Sequence, residues 1–157
     1  MNTKSDAATE KFVSGYNCAQ SVLWAFAGEL GLDPDTALKI STGFGAGMGR
    51  RQETCGAVSG GIMVLGLKYG RGEGQERTVT EESYAKTQEL MRRFEAKHGP
   101  SDCRQILGGC DLMTEEGRKT MKDRNLHDSI CKPCVRTVVA ILEDMLKTAP
   151  EQAKKEK

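Results

Sequence analysis

Apolar side chains recur along this chain every three or four residues and nowhere in strict alternation, a pattern that commits it to helices. Ala19, Val22, Leu23, Phe26 and Leu30 share one face of a first stripe, and Gly31 supplies a left-handed stop behind them. Asp33 followed by Pro34 reads as a helix start, because the carboxylate can accept from free amides while proline occupies a first turn that needs no N–H. That helix is expected to run to about Gly43. Val58, Ile62, Leu65 and Tyr69 form a second stripe closed by Gly70; Tyr84, Thr87, Leu90, Met91 and Phe94 form a third, closed by Gly99 and Pro100. The clearest stripe is Val135, Val138, Val139, Leu142, Met145 and Leu146, with Pro133 at a first-turn position. The prediction is an all-α, single-domain helical bundle with short connections over residues 1–150, its longest loop from Arg71 to Val79. Residues 151–157, after Pro150, read as a charged, disordered tail.

A chain of 157 residues can bury a core without disulfide staples. No apolar run approaches the roughly 20 residues of a membrane span, and the polar opening from Met1 to Lys11 lacks the pattern of a secretory signal. The expectation is a cytoplasmic protein with no membrane partner. Its 23 basic and 22 acidic side chains leave a net charge of +1, so no field draws in a nucleic acid. In a reducing compartment, six cysteines point to thiol chemistry or metal ligation rather than to a disulfide framework.

The cysteines fall where helices begin. Cys18 follows Tyr16-Asn17, Cys55 follows Glu53-Thr54, Cys103 follows Ser101-Asp102, and Cys131 just precedes Pro133. A free thiol has a pKa of about 8.5, and unpaired amides at a helix start favour the thiolate that attacks disulfides and binds metals. The expectation is therefore of several thiolates prepared together. Against it stands cysteine's ordinary behaviour as a small buried hydrophobe. Cys131-Lys132-Pro133-Cys134 is a C-x-x-C pair, whose spacing at a helix start allows a redox disulfide or a bidentate metal grip. The strand-and-helix alternation of a thioredoxin fold is missing around it. Cys103 and Cys110 do not form the second close pair that a structural zinc site usually shows.

Gly43-Phe44-Gly45-Ala46-Gly47-Met48-Gly49-Arg50-Arg51 invites comparison with a phosphate loop, but no strand precedes it and no Lys-Ser or Lys-Thr pair ends it. A tight turn that brings Cys55 close to neighbouring backbone is the favoured reading, with Arg50 and Arg51 placed to support a Cys55 thiolate. Gly56, Gly60 and Gly61 lie inside a helical stripe, where each costs about 1 kcal/mol relative to alanine. Close packing of another helix would offset that cost. His98 and His127 have no ligand partner at helical spacing and read as surface or capping residues.

The segments Tyr16-Asn17-Cys18-Ala19-Gln20-Ser21-Val22-Leu23, Gly43 to Arg50, and Cys55-Gly56-Ala57-Val58-Ser59-Gly60, followed by the later cysteines, resemble the C_GCAxxG_C_C family of redox-active proteins. The likeness spans most of the chain and departs at Thr54, where the family pattern suggests a small residue. It implies that Cys18 and Cys55 are family cysteines, and that the last two correspond either to Cys103 and Cys131 or to Cys110 and Cys131. It names no substrate. Together these readings predict a thiol redox protein in which Cys18 or Cys55 attacks an oxidised partner and a later cysteine resolves the mixed disulfide, with Cys18, Cys55, Cys103, Cys131 and Cys134 as its chemical residues. The partner would be an unidentified redox protein or a small thiol. The alternative is a metal or iron–sulfur module ligated by Cys18, Cys55, Cys110 and Cys131, and a third reading is a helical interaction module with cysteines as core filler. Whether the chain is an enzyme, and whether it forms a homo-oligomer, the sequence leaves open.

Overall fold

Asn17 starts the helix of the first stripe through a reciprocal cap: its side chain accepts from the Gln20 N–H at 2.9 Å, and Gln20 Oε1 accepts from the Asn17 N–H at 3.0 Å. The computed structural model describes residues 3–155, with side chains described through residue 147. Its elements are α1 (Lys4–Val13), α2 (Cys18–Ala27), α3 (Pro34–Ser41), a short left-handed segment α4 (Gly45–Met48), α5 (Gly56–Tyr69), α6 (Thr78–His98), α7 (Cys103–Ile106), α8 (Glu115–Asp123) and α9 (Lys132–Lys155). A π-helical turn, His127–Cys131, leads directly into α9.

The predicted stripes become the core. Val22, Leu23 and Phe26 of α2 meet Val58, Val64 and Leu65 of α5, Leu90 and Phe94 of α6, and Val135, Val138, Val139, Leu142 and Met145 of α9. Gly31 ends the first helical region in the left-handed conformation (φ 80°), and Asp33 caps α3 by accepting from the Thr36 N–H at 2.9 Å. The glycines of α5 sit where helices touch. A Cβ on Gly60 would stand 2.7 Å from the Ala19 carbonyl oxygen on α2, and one on Gly61 would meet Val138 and Leu90 at 2.8 and 2.9 Å. Close helix packing therefore offsets their poor helix propensity, as expected.

Two helices go beyond the sequence reading. In α1, Thr3 and Asp6 cap one another at 3.0 and 3.1 Å, and Phe12 is buried against the core. In α8, Thr114 accepts from the Gly117 N–H at 2.9 Å. Cys103, Leu107, Leu112 and Leu126 build a small second core beneath α7 and α8. Strand pairing, for which the sequence offered no place, occurs as one isolated antiparallel bridge between Thr54 and Asp102. The bounds of α9 pass Pro150 to Lys155. The expected tail over 151–157 falls where side chains, and beyond Lys155 the backbone too, lie outside the described residues. No helix among the described residues is long and apolar enough to cross a membrane.

Candidate functional site: a cavity lined by five cysteines

Two helix starts are tied together by the Thr54–Asp102 bridge. The Cys55 N–H donates to the Ser101 carbonyl at 2.7 Å, the Cys103 N–H to the Glu53 carbonyl at 2.7 Å, and the Arg104 N–H to the Gln52 carbonyl at 3.2 Å. Cys55 is the N-cap of α5 and Cys103 the first residue of α7, so pairing their flanking backbone sets both thiols at one place. Cys18 opens α2, which packs directly against α5; Cys131 ends the π-helical turn, and Cys134 lies one turn further along in α9. All five line one cavity of about 770 Å³.

The glycine run forms the wall beside Cys18. Ala46, Gly47, Met48, Gly49 and Arg50 all carry φ between 55° and 74°, and Gln52 has φ 59°. This left-handed turn is costly for non-glycine residues, by about 1–2 kcal/mol each. Backbone bonds hold it: Gly49 N–H to Gly45 O at 2.9 Å, Gln52 N–H to Ala46 O at 3.2 Å, and Glu53 N–H to Gly47 O at 2.9 Å. At Gly47 no side chain fits, since a Cβ would lie 2.6 Å from Gln52 Cα and 2.8 Å from Cys103 Cβ. The expected tight turn is present, and the backbone amide of Ala46 within it favours the charged form of Cys18.

The sulfurs are coupled. Cys55 is hydrogen-bonded to both Cys18 and Cys134, and all six cysteines are free thiols. Cys55 is 7% exposed and Cys134 1%, whereas Cys18 is only half-buried. The Cys18 thiol is held well above its ordinary value, first by its hydrogen bond to Cys55, then by burial and by the charge Cys55 would carry. Amides of Ala46 and Ala19 act in the opposite direction. Cys55 is pushed up to about 12, chiefly by its hydrogen bond to Cys134. Burial pushes Cys103 up to about 12 and raises Cys131 as well, with neighbouring cysteines adding to both. The expectation of several thiolates prepared together is therefore corrected: desolvation and mutual repulsion outweigh the helix-start amides, and these four thiols rest protonated.

Cys110 stands apart from the cavity, its Sγ donating to the Gly117 carbonyl at 3.0 Å. Of the four cysteines in the metal alternative, Cys18, Cys55 and Cys131 line the cavity and Cys110 does not. Among the described residues, no group of three His, Cys, Asp or Glu side chains is disposed to hold a metal ion. Arg50 lines the cavity, while Arg51 turns out toward Glu53 at 4.0 Å. His127 stacks on Phe12 at 4.8 Å, and both rings line the wall; His98 bonds Thr137 Oγ1 at 2.7 Å.

Sequence reasoning missed Gln52, Arg118 and Lys122. Gln52 is 2% exposed; its amide donates to the Cys110 carbonyl at 2.6 Å and accepts from the Leu112 N–H at 2.8 Å, fastening the α7–α8 segment against the glycine turn. Arg118 and Lys122 lie four apart on α8 and both line the cavity. The cap signal Thr114 followed by two glutamates would have located that helix.

An all-α fold that brings five thiols from separate segments to one cavity defines a cysteine-cluster protein. Residues 16–145 match the family described as "Putative redox-active protein (C_GCAxxG_C_C)", and the chain belongs to that family. Neither the curated proteins nor the solved structures compared with it gave a match.

Proposed function

We propose that this chain is a cytoplasmic thiol–disulfide redox protein whose working pair is Cys18 and Cys55, with Cys134 as the next thiol inward. The observation that carries this reading is the gathering of three free thiols, Cys18, Cys55 and Cys134, at one cavity, with Cys55 interacting with both of the others. Cys18 is the attacking thiol. It is the least buried of the three, and the Ala19 and Ala46 amides stabilise its sulfur as charge develops. It gives up its proton as its sulfur attacks one sulfur of a disulfide R–S–S–R; the S–S bond breaks, a mixed disulfide forms, and the released RS⁻ takes up a proton in place of the one Cys18 has lost. Cys55, already in hydrogen-bond contact, then attacks the Cys18 sulfur and displaces the second RS⁻. Two electrons and two protons pass to the substrate, and a Cys18–Cys55 disulfide remains. Cys134 can attack Cys55 in turn, which moves the disulfide inward and frees Cys18. Cys103 and Cys131 stand at the same cavity as reserve thiols, protonated at rest like the working pair.

The metal alternative has less support, because Cys110 lies off the cavity and, among the described residues, no three ligating side chains are disposed to hold an ion. Intact-mass analysis after mild anaerobic oxidation tests the redox reading. The expected result is a reversible loss of two protons that disappears in Cys18→Ser and Cys55→Ser and persists in Cys110→Ser. Stoichiometric metal in anaerobically purified protein, with no such mass loss, would overturn it in favour of ligation.

A further inference from the structure

The charge of the cavity identifies what it takes. Arg50, Arg118 and Lys122 line it, and among the described residues no aspartate or glutamate does. That bias is local, because the chain as a whole carries only +1. None of the three cations forms an ion pair among the described residues, although seven other basic side chains do. Arg118 is held at the wall by its Nη1, which donates to the Leu112 carbonyl at 2.8 Å, and that bond leaves the positive charge unneutralised. The cations come from two segments, Arg50 from the left-handed turn and Arg118 with Lys122 from one face of α8. A concave, largely apolar wall with unpaired charge of one sign raises the local concentration of ions of the other sign.

Size and depth narrow the class further. A cavity of about 770 Å³ lies within the roughly 300–1,000 Å³ range of small-molecule sites. Cys55 and Cys134, which complete the exchange by attack within the chain, are 7% and 1% exposed, so the incoming S–S bond meets only the half-buried Cys18 at the cavity. We infer that the substrate is a low-molecular-weight anionic disulfide, a molecule of two thiol halves with carboxylates at each end.

This inference rests on the redox reading above and gives it a substrate. The cations pair with carboxylates as the S–S bond is led to Cys18. The balance is RSSR plus two cysteine thiols giving two RSH and the Cys18–Cys55 disulfide. Positive charge at the wall also stabilises each departing RS⁻ before it is protonated.

Three small disulfides separate the possibilities: glutathione disulfide, which is anionic; hydroxyethyl disulfide, which is neutral; and cystamine, which is cationic. The fully reduced full-length protein is mixed with each under anaerobic conditions, and the rate of two-proton mass loss is followed by acid quench. The expected order is anionic, neutral, cationic, with at least a tenfold span that narrows in high salt. Changing Arg50, Arg118 and Lys122 together to glutamine is expected to bring the anionic-to-neutral ratio close to one. Equal rates for the three, or a faster cationic disulfide, in wild-type protein would overturn the anionic substrate and leave the thiol reading standing. No oxidation by any of the three would overturn the thiol reading itself.

Discussion

Gly56 lies directly beneath Cys18: a Cβ placed on it would stand 2.5 Å from the Cys18 sulfur. The glycine cannot retreat, because the same Cβ would also lie 3.0 Å from the Phe44 carbonyl oxygen and 3.3 Å from the Ala19 amide nitrogen. The Cys55-Gly56 pair thus does two things at once, delivering one thiol and vacating the space that a second one fills. Gly56→Ala is expected to push the Cys18 sulfur away from Cys55. The overpacking should cost about 1–3 kcal/mol of stability in chemical denaturation, and the Cys18–Cys55 mass loss should slow more than tenfold. An alanine variant of wild-type stability and oxidation rate would show that the sulfur has room to move.

Gly60 and Gly61 are neighbours in sequence with different tolerances. An added methyl at Gly60 meets backbone of α2, whereas at Gly61 it meets only the ends of the Val138 and Leu90 side chains. Alanine restores about 1 kcal/mol of helix propensity at either site. Gly60→Ala should nonetheless be clearly destabilising, by about 1–3 kcal/mol net, and Gly61→Ala close to neutral. Thermal melting of the two variants side by side decides it, and a reversed order would refute the α2–α5 packing described.

Alkaline pH should weaken the fold through the buried thiols. Cys55 and Cys103 titrate near 12 in the folded chain against an ordinary value of 9.0. Below pH 9 both folded and unfolded chains hold these protons, and the contribution is fully present. Between about pH 9 and 12 the unfolded chain has released protons that the folded chain retains, so unfolding becomes progressively easier as pH rises. Denaturation midpoints should fall over that window, and less steeply in a Cys55→Ser/Cys103→Ser variant. An identical slope in the two proteins would remove the thiols as the cause.

Gln52 is the pin of the α7–α8 segment. Gln52→Leu keeps much of the volume but leaves the buried Leu112 N–H without its acceptor, which costs about 1–3 kcal/mol. Hydrogen exchange at Leu112 should accelerate well beyond the change in global stability. Unchanged protection there would mean that the segment is held by its small core alone.

The helices legible in the sequence were those whose stripes feed the main core and whose ends carry glycine or a polar cap: α2, α3, α5, α6 and α9. Hidden helices α1 and α8 are largely polar, with Phe12 and Gly117 among their few buried residues, so periodicity had little to report. Cys18 and Cys103 could be placed at helix starts because the capping residues Asn17 and Asp102 stand before them, whereas Cys55 is itself the N-cap of α5 and makes no side-chain cap. Their protonation could not be read this way. A helix start favours the thiolate, but its effect is overruled when five sulfurs and an apolar wall share one cavity, and that convergence depends on contacts between residues far apart in the chain. The Thr54–Asp102 bridge was equally invisible, since a single pair leaves no alternating pattern.

The left-handed turn sets two demands against each other at neighbouring positions. Where a side chain would collide, at Gly47, the chain uses glycine and the backbone is comfortable. At Ala46 and Arg50, which line the cavity, and at Gln52, which pins the neighbouring segment, it keeps a side chain and accepts an unfavourable φ. Replacing those three by glycine would ease the backbone while blunting the site. Selection for stability and selection for chemistry therefore pull this loop toward different sequences, and a chain freed from its chemical task would be expected to drift toward glycine there first.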